Sequence, residues 1–464
     1  MTAPETESER ADKSAVVDAL FYPWTLGIRP GGAVGIFRKG EVLHRKCYGF
    51  ANLSTRAEIH PQSPFRLASL TKPFVAMAIM ILEERGLLKY DDRITEYLPG
   101  FSAGRQAEIT VRHLLTHTSG VEDYEELFLD AGVIDAKYPA SSEGGPSGYE
   151  PQLLETVELI AQQRLRFAPG DDWEYSNSGY VLLASIAERV SGVPLALFLR
   201  EEVFEPLGMR DTRLSEQARP EPKLSERAKG YVLKDGAYAE ADYSPLNAIY
   251  GPDGMYSTLD DMMAWCTAAL GTEVLVKSRT IEQAFTSGTL NCGEPTGYGF
   301  GWFVGENFGL PVVSHTGSWM GYRSFLSYYP SEELGVLVLG NFAEFEDAER
   351  SHVACALSKL YLNIEPPASD HVETDREMHT HFTGRYELHD GETFEIVSNE
   401  GSLWVNSKTR LVSASRLRFV VEGAESDSYF FHENVDGKVN GVTRHLSLFG
   451  YSKDADTWAR KLNV

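Results

Sequence analysis

The spacing of apolar and polar positions divides the chain into a long mixed region and a short, strand-rich tail. Near the start, GGAVGIFRKGEVLHRKCYGFAN (31–52) alternates apolar and polar residues on either side of Lys39-Gly40. That pattern predicts a β-hairpin. In PFRLASLTKPFVAMAIMILEERGLL (64–88) the residues from Phe74 to Leu88 are apolar on almost every side. This predicts a buried helix, with Gly86 as its C-terminal cap. TVRHLLTHTSG (110–120) reads as a further helix ending at Gly120, and 153–164 and 178–191 as a helical pair. Between them, 121–151 is acidic and rich in Gly, Ser and Pro, which predicts a long functional or disordered loop. GPDGMYSTLDDMMAW (251–265) opens a helix at Ser257 or Thr258, where Thr258 and Asp261 have the spacing of an N-terminal cap. From Tyr298 to Asn341, strands alternate with glycine-rich turns, and a helix over 346–362 follows.

The pattern then changes. IEPPASDHVETD carries two prolines and a charged stretch, the mark of a linker. Beyond it come GRYEL, TFEIV, LWVN, LRFVVE, SYFF and HLSLFGY, short runs at the spacing of an antiparallel barrel or sandwich. The expected organisation is a disordered tail (1–12), a large main domain (13–365), a linker (366–379) and a small all-β domain (380–464). The expected fold class is α/β in the broad sense (α+β): an antiparallel sheet flanked by helices, with a helical subdomain and a C-terminal β-barrel.

Composition narrows the function. Of the 464 residues, 42 % are apolar and 24 % charged, an ordinary soluble balance. The net charge of −24 argues against nucleic acid or an anionic membrane as partner, since both carry phosphate. No apolar run reaches the ~18 residues of a membrane span. The four cysteines are far apart and show no metal-binding spacing, so they read as core or incidental thiols. MTAPETESERADK lacks the basic start and apolar stretch of a secretory leader, which with Met1 gives a cytoplasmic expectation.

Three short segments carry chemistry. Ser69 and Lys72 are three residues apart at the entry to the apolar helix, so hydroxyl and amine share a face. A serine needs an adjacent base, and a lysine serves once burial lowers its pKa. The helix N-terminus adds potential favourable to a developing oxyanion. Tyr175-Ser176-Asn177 follows the turn Ala168-Pro169-Gly170. A phenol can relay a proton, and an asparagine amide can hold a substrate amide or an amine. His315-Thr316-Gly317-Ser318 follows VVS, where the glycine can let a substrate backbone approach a strand edge and His and Thr can bind a substrate carboxylate or polarise a proton carrier; the plainer reading is a strand-end turn. His117-Thr118-Ser119-Gly120 looks similar but lies at a helix end, and reads as a terminus packed near the site.

In this order, Ser-x-x-Lys, Tyr-Ser-Asn and His-Thr-Gly resemble the signature of the serine β-lactamase and penicillin-recognising family. The tyrosine variant resembles class C β-lactamases, DD-carboxypeptidases, D-aminopeptidases and related esterases. LLTHTSG, APGDDWEYSNSGYVLL and GPDGMYSTLDDM are similar to the same family, over about residues 20–362. The resemblance implies Ser69 as nucleophile, with Lys72 and Tyr175 sharing acid and base duties. Asn177 would orient the substrate amide and Lys72. His315 would tune Tyr175 and bind an anionic group, helped by Thr316 and Gly317. The backbone amides of Ser69 and Ser318 would form the oxyanion hole. DD-carboxypeptidases of this kind carry an arginine before the third motif; YGFGWFVGENFG has none, and Arg323 after the motif is the nearest substitute. The C-terminal domain resembles lipocalin-like domains of some family peptidases, which cover the site or mediate homo-oligomers. No cofactor or metal is implied. The function expected is a serine peptidase or amidase on small peptides, D-residues included. A carboxylesterase or weak β-lactamase is the near alternative, and a catalytically silent scaffold or sensor the distant one.

Overall fold

Strands Gly32–Arg38 and Glu41–Tyr48 pair as the expected hairpin. Lys39 and Gly40 sit at φ 52° and 78°, the two left-handed positions of a turn that matches strand twist. The computed structural model describes residues 7–130, 150–217, 224, 226–345, 347–364 and 376–388, then 393–399, 402–413, 418–421, 424–433, 439–445 and 456–461. The hairpin edges a six-stranded sheet in the order Phe303–Asn307, Leu310–Trp319, Tyr322–Tyr329, Leu334–Gly340, Gly32–Arg38, Glu41–Tyr48. Every residue of Tyr322–Tyr329 and Leu334–Gly340 is buried, so these strands lie in the middle of the core. Helix Leu259–Ala269 packs against Gly32–Arg38. Its start is capped as expected, the Asp261 N–H donating to the Thr258 hydroxyl at 3.1 Å.

The helical layer centres on Lys72–Glu84, buried from Lys72 through Leu82. Each fully buried aliphatic or aromatic side chain contributes about 1.5–3 kcal/mol before entropy is set against it. The helix packs on Asn177–Ser191, which also receives Val111–Leu115 and Leu153–Ala161. Beyond the Arg85 cap, Gly86 adopts φ 69° and donates its N–H to the Glu83 carbonyl at 2.8 Å.

Several expectations are corrected. The helix over 110–120 ends at Leu115, because His117 takes φ 59° and the chain turns. Part of the expected 121–151 loop is helical: Tyr124–Asp130 is anchored by buried Tyr124 and Phe128, while 131–149 lie outside the described residues. The tail expected over 1–12 is helical from Glu7, where helix Glu7–Phe21 begins, and Arg10 pairs with Glu41 at 2.8 Å. The strand expected from Tyr298 starts only at Phe303, the glycines of YGFG supplying turns before it.

By packing, the chain forms two units: Met1–Gly305 with Pro311–Glu346, and Glu306–Leu310 with Asp347–Val464. The second unit takes in helix Asp347–Leu362, ahead of the composition change, and helix Arg376–Phe382, which occupies the end of the expected linker; 365–375 lie outside the described residues. Its eight strands, from Gly384–Leu388 to Asp456–Lys461, follow one another around the sheet in chain order. The last pairs antiparallel with the first, so the sheet closes on itself. Phe382, Tyr386, Ile396, Leu403 and Phe419 fill its core.

Candidate active site

Ser69 lies on the 3-10 turn Ala68–Thr71, which leads directly into helix Lys72–Glu84. Pro73 fits there because first-turn amides lack intrahelical partners. Ala68, just before the serine, is held at φ 51°. For a residue with a Cβ that conformation is strained, and the surrounding packing must enforce it. Ser69 is half-buried, whereas Lys72 is wholly enclosed.

The amine of Lys72 meets three oxygens. Nζ is 2.7 Å from Asn177 Oδ1, 3.3 Å from the Pro252 carbonyl and 3.0 Å from Ser69 Oγ. The first two can only accept. A neutral amine has two hydrogens and one lone pair. With the hydrogens given to Asn177 and Pro252, the lone pair is left to Ser69. Burial pushes Lys72 down to about 7, against the opposing pull of Asp123, Glu125 and Asp253. The arrangement therefore holds a base against a hydroxyl at neutral pH.

Ser176 caps helix Asn177–Ser191 by accepting the Gly179 N–H, which makes Asn177 its first residue. The Tyr175 ring lies beside this turn, its centroid 4.6 Å from Lys72 Nζ. It stacks parallel to Phe303 at 6.2 Å and lies 4.4 Å from the ring of His117. His117 is buried and accepts the Ser176 N–H on Nδ1 at 3.1 Å. The LLTHTSG segment thus props the tyrosine turn from below.

His315, Thr316, Gly317 and Ser318 lie within the ten-residue strand Leu310–Trp319, not in a strand-end turn. Their partners are Leu326, Phe325, Ser324 and Arg323. The glycine leaves room for backbone: a Cβ on Gly317 would fall inside contact distance of the Leu67 carbonyl and the Ser324 hydroxyl. What approaches Gly317 is therefore the segment leading to Ser69. This is how the third motif reaches the first.

His315 is buried and both ring nitrogens are engaged. Nδ1 is 2.6 Å from the Thr316 carbonyl, and Nε2 is 2.9 Å from the Tyr298 hydroxyl. Burial first, and then Lys72, push it down to about 3. A pKa this low keeps the ring uncharged at neutral pH. Its centroid is 6.0 Å from that of Tyr175. Arg323 is buried. Its Nη1 donates to the carbonyls of Met320 and Tyr322 at 2.9 and 2.8 Å.

The structure adds residues that the motifs do not reveal. Asp123 and Glu125 flank Asn177, and burial raises both above the usual carboxylate range, Glu125 to about 8. Arg66 and Asp253 form a buried ion pair at 2.8 Å, tying the strand before Ser69 to the loop that carries Pro252. Tyr298 donates to His315. The signals were present as Asp-x-Glu two residues beyond LLTHTSG, Pro-Asp in GPDG and the tyrosine of YGFG.

A serine beside a buried lysine, at the junction of a helical layer and an antiparallel sheet, defines a class of serine hydrolase. The Beta-lactamase family model matches residues 25–356, and the chain belongs to that family. Penicillin-binding protein 4* of Bacillus subtilis (strain 168) is 29 % identical over 420 residues, 86 % of this chain and 89 % of the relative. Esterase EstB of Burkholderia gladioli is 30 % identical over 361 residues, 71 % of this chain and 90 % of the esterase. D-aminopeptidase of Brucella ovis (strain ATCC 25840 / 63/290 / NCTC 10512) is 28 % identical over 346 residues, 73 % of this chain and 60 % of that protein. The chain is a β-lactamase-related serine hydrolase.

Proposed function

We propose that the chain is a peptidase or amidase that cleaves small peptides, D-residues included, through an acyl-enzyme on Ser69. The observation that carries this reading is the Lys72 amine, whose two obligate acceptors leave its lone pair to Ser69 Oγ. In the proposed reaction Lys72 takes the hydroxyl proton as Oγ bonds to the substrate carbonyl carbon. The backbone N–H groups of Ser69 and Ser318 receive the oxyanion; losing one such donor typically costs about 10²–10³ in rate. Collapse breaks the C–N bond, and the proton returns to the departing amine through Lys72 and Tyr175. Water then attacks the ester, with the same groups as base. Asn177 and the Thr316–Gly317 strand hold the substrate amide, and neutral His315 fixes the wall beside Tyr175. The similarity to a D-aminopeptidase supports an amide substrate.

The similarity to an esterase favours a second reading, in which esters are the natural substrates and β-lactams turn over weakly. The test is labelling with a fluorescent phosphonate or a penicillin, beside Ser69→Ala, with the adduct located by mass spectrometry. Label on Ser69 is expected; label that persists in Ser69→Ala overturns the nucleophile. D- and L-aminoacyl nitroanilides are then compared with nitrophenyl esters. Nitroanilide turnover supports the peptidase, turnover of esters alone overturns it, and labelling without turnover of either marks a silent sensor.

A further inference from the structure

Asn177 presents a problem of orientation. A side-chain amide has nearly the same shape after a half-turn about its last bond, which exchanges oxygen and NH₂. With the oxygen toward Lys72, the amide accepts from the amine at 2.7 Å. After the half-turn, NH₂ would face NH₂ and the lone pair of Lys72 would lose its aim at Ser69. The choice must be made by whatever touches the other end of the amide.

At that end lies Glu125. Its Oε1 accepts from Asn177 Nδ2 at 3.0 Å. A carboxyl group keeps an accepting oxygen there whether ionised or protonated. Glu125 is held by Asp123, whose Oδ1 accepts the Glu125 N–H at 3.0 Å. The other oxygen of Asp123 accepts the Asn177 backbone N–H at 2.7 Å. Asp123 thus bridges the start of helix Tyr124–Asp130 and the start of helix Asn177–Ser191. We infer that Glu125, seated by Asp123, is a positioning residue that locks the Asn177 amide with its oxygen on Lys72. It acts through Asn177 and need not touch the substrate. The inference rests on the reading of Ser69 as nucleophile, and extends it by naming what aims the base.

Charge alone would give a different pattern. Lys72 also faces Asp253, Tyr175, Tyr180, His117 and His315, so the loss of one carboxylate leaves others near the amine. The decisive comparison is Glu125→Gln, which keeps an accepting oxygen, against Glu125→Leu, which removes it. Steady-state hydrolysis of a nitrophenyl ester by the full chain is the readout, alongside the rate of fluorophosphonate labelling. Glu125→Gln is expected to keep kcat within about threefold, and Glu125→Leu to lower it about tenfold or more with KM nearly unchanged. In an Asn177→Ala background the leucine substitution should cost nothing further. Native kcat in Glu125→Leu, an equal loss in both backgrounds, or a glutamine variant as slow as the leucine one each overturns the inference. Should the leucine variant not fold, Glu125→Asp withdraws the oxygen by one methylene; a slowed kcat supports the inference and a native kcat overturns it. Ester and phosphonate report acylation of Ser69 whatever the natural substrate. Persistent label in Ser69→Ala sinks the nucleophile, whereas a Ser69 adduct without the Glu125 pattern sinks this inference alone.

Discussion

The Tyr298 hydroxyl donates to His315 Nε2 at 2.9 Å, and the direction of that bond is settled on the far side of the ring. Nδ1 lies 2.6 Å from the Thr316 carbonyl, which only accepts, so Nδ1 carries the hydrogen and Nε2 the lone pair. Tyr298→Phe therefore strands a buried acceptor. We expect a stability loss of about 1–3 kcal/mol in thermal or denaturant melts. Ester turnover should fall as well, since the freed imidazole no longer defines the wall beside Tyr175. An unchanged melting curve would refute the assigned tautomer.

The Lys72 amine sets the pH dependence of acylation. With its pKa pushed down to about 7, it is mostly charged below that pH and cannot take the Ser69 proton. The expected kcat/KM profile falls on the acid side with a midpoint near 7 and unit slope. Lys72→Arg should be inactive at every pH tested, because a guanidinium does not deprotonate. Turnover by the arginine variant would exclude lysine as the base.

Acid stability carries the mark of His315. The unfolded ring takes a proton near its usual 6.5, while the folded one refuses it until about 3. Its contribution is thus complete above 6.5 and is lost as pH falls toward 3, at up to about 1.4 kcal/mol per pH unit. Raised Glu125 runs the other way, since its contribution is full below the usual 4.5 and lost as pH rises through about 8. The comparison with His315→Gln isolates the histidine. Between pH 6.5 and 4, melts of the native protein should fall more steeply than those of the variant; parallel curves would contradict a neutral buried ring.

Gly317 is the hinge of assembly between the first and third motifs. In Gly317→Ala the methyl meets the Leu67 carbonyl and the Ser324 hydroxyl, so the strand and the serine turn must part. Overpacking of this kind costs about 1–3 kcal/mol. Phosphonate labelling of Ser69 should slow more than the melting temperature suggests, because Leu67 is two residues from the nucleophile. Native labelling rates would show that the two segments are not coupled.

The legible part of the site was the part written in local spacing. Ser69 and Lys72 are fixed by one turn of backbone, and Tyr175 and Asn177 by the cap of one helix, so their pattern survives in the linear sequence. His315 was found for its type and read at a strand end, whereas it lies inside strand Leu310–Trp319. Gly317 was read as room for a substrate backbone, and nothing local signals that the distant Leu67 carbonyl needs the same space. Asp123 and Glu125 were hidden for a similar reason. An acidic segment ahead of a Gly/Ser/Pro run reads as solvated loop, and only the burial of Tyr124 and Phe128 turns it inward. The φ of 51° at Ala68 has no sequence signal at all, since alanine is a residue that ordinarily avoids it.

Pro252 and Asn177 leave Lys72 a single line of traffic. In the proposed reaction a proton collected from the Ser69 hydroxyl and one passed on toward a leaving group by way of Tyr175 would use that line at different times. In the proposed peptidase reaction the departing amine and the arriving water would occupy the same berth in turn. Until the first had cleared, the acyl group would face an amine and not water, and the step could run backward. An abundant amine nucleophile would then compete with hydrolysis for the acyl-enzyme, and the partition between transfer and cleavage would follow from the geometry of one nitrogen.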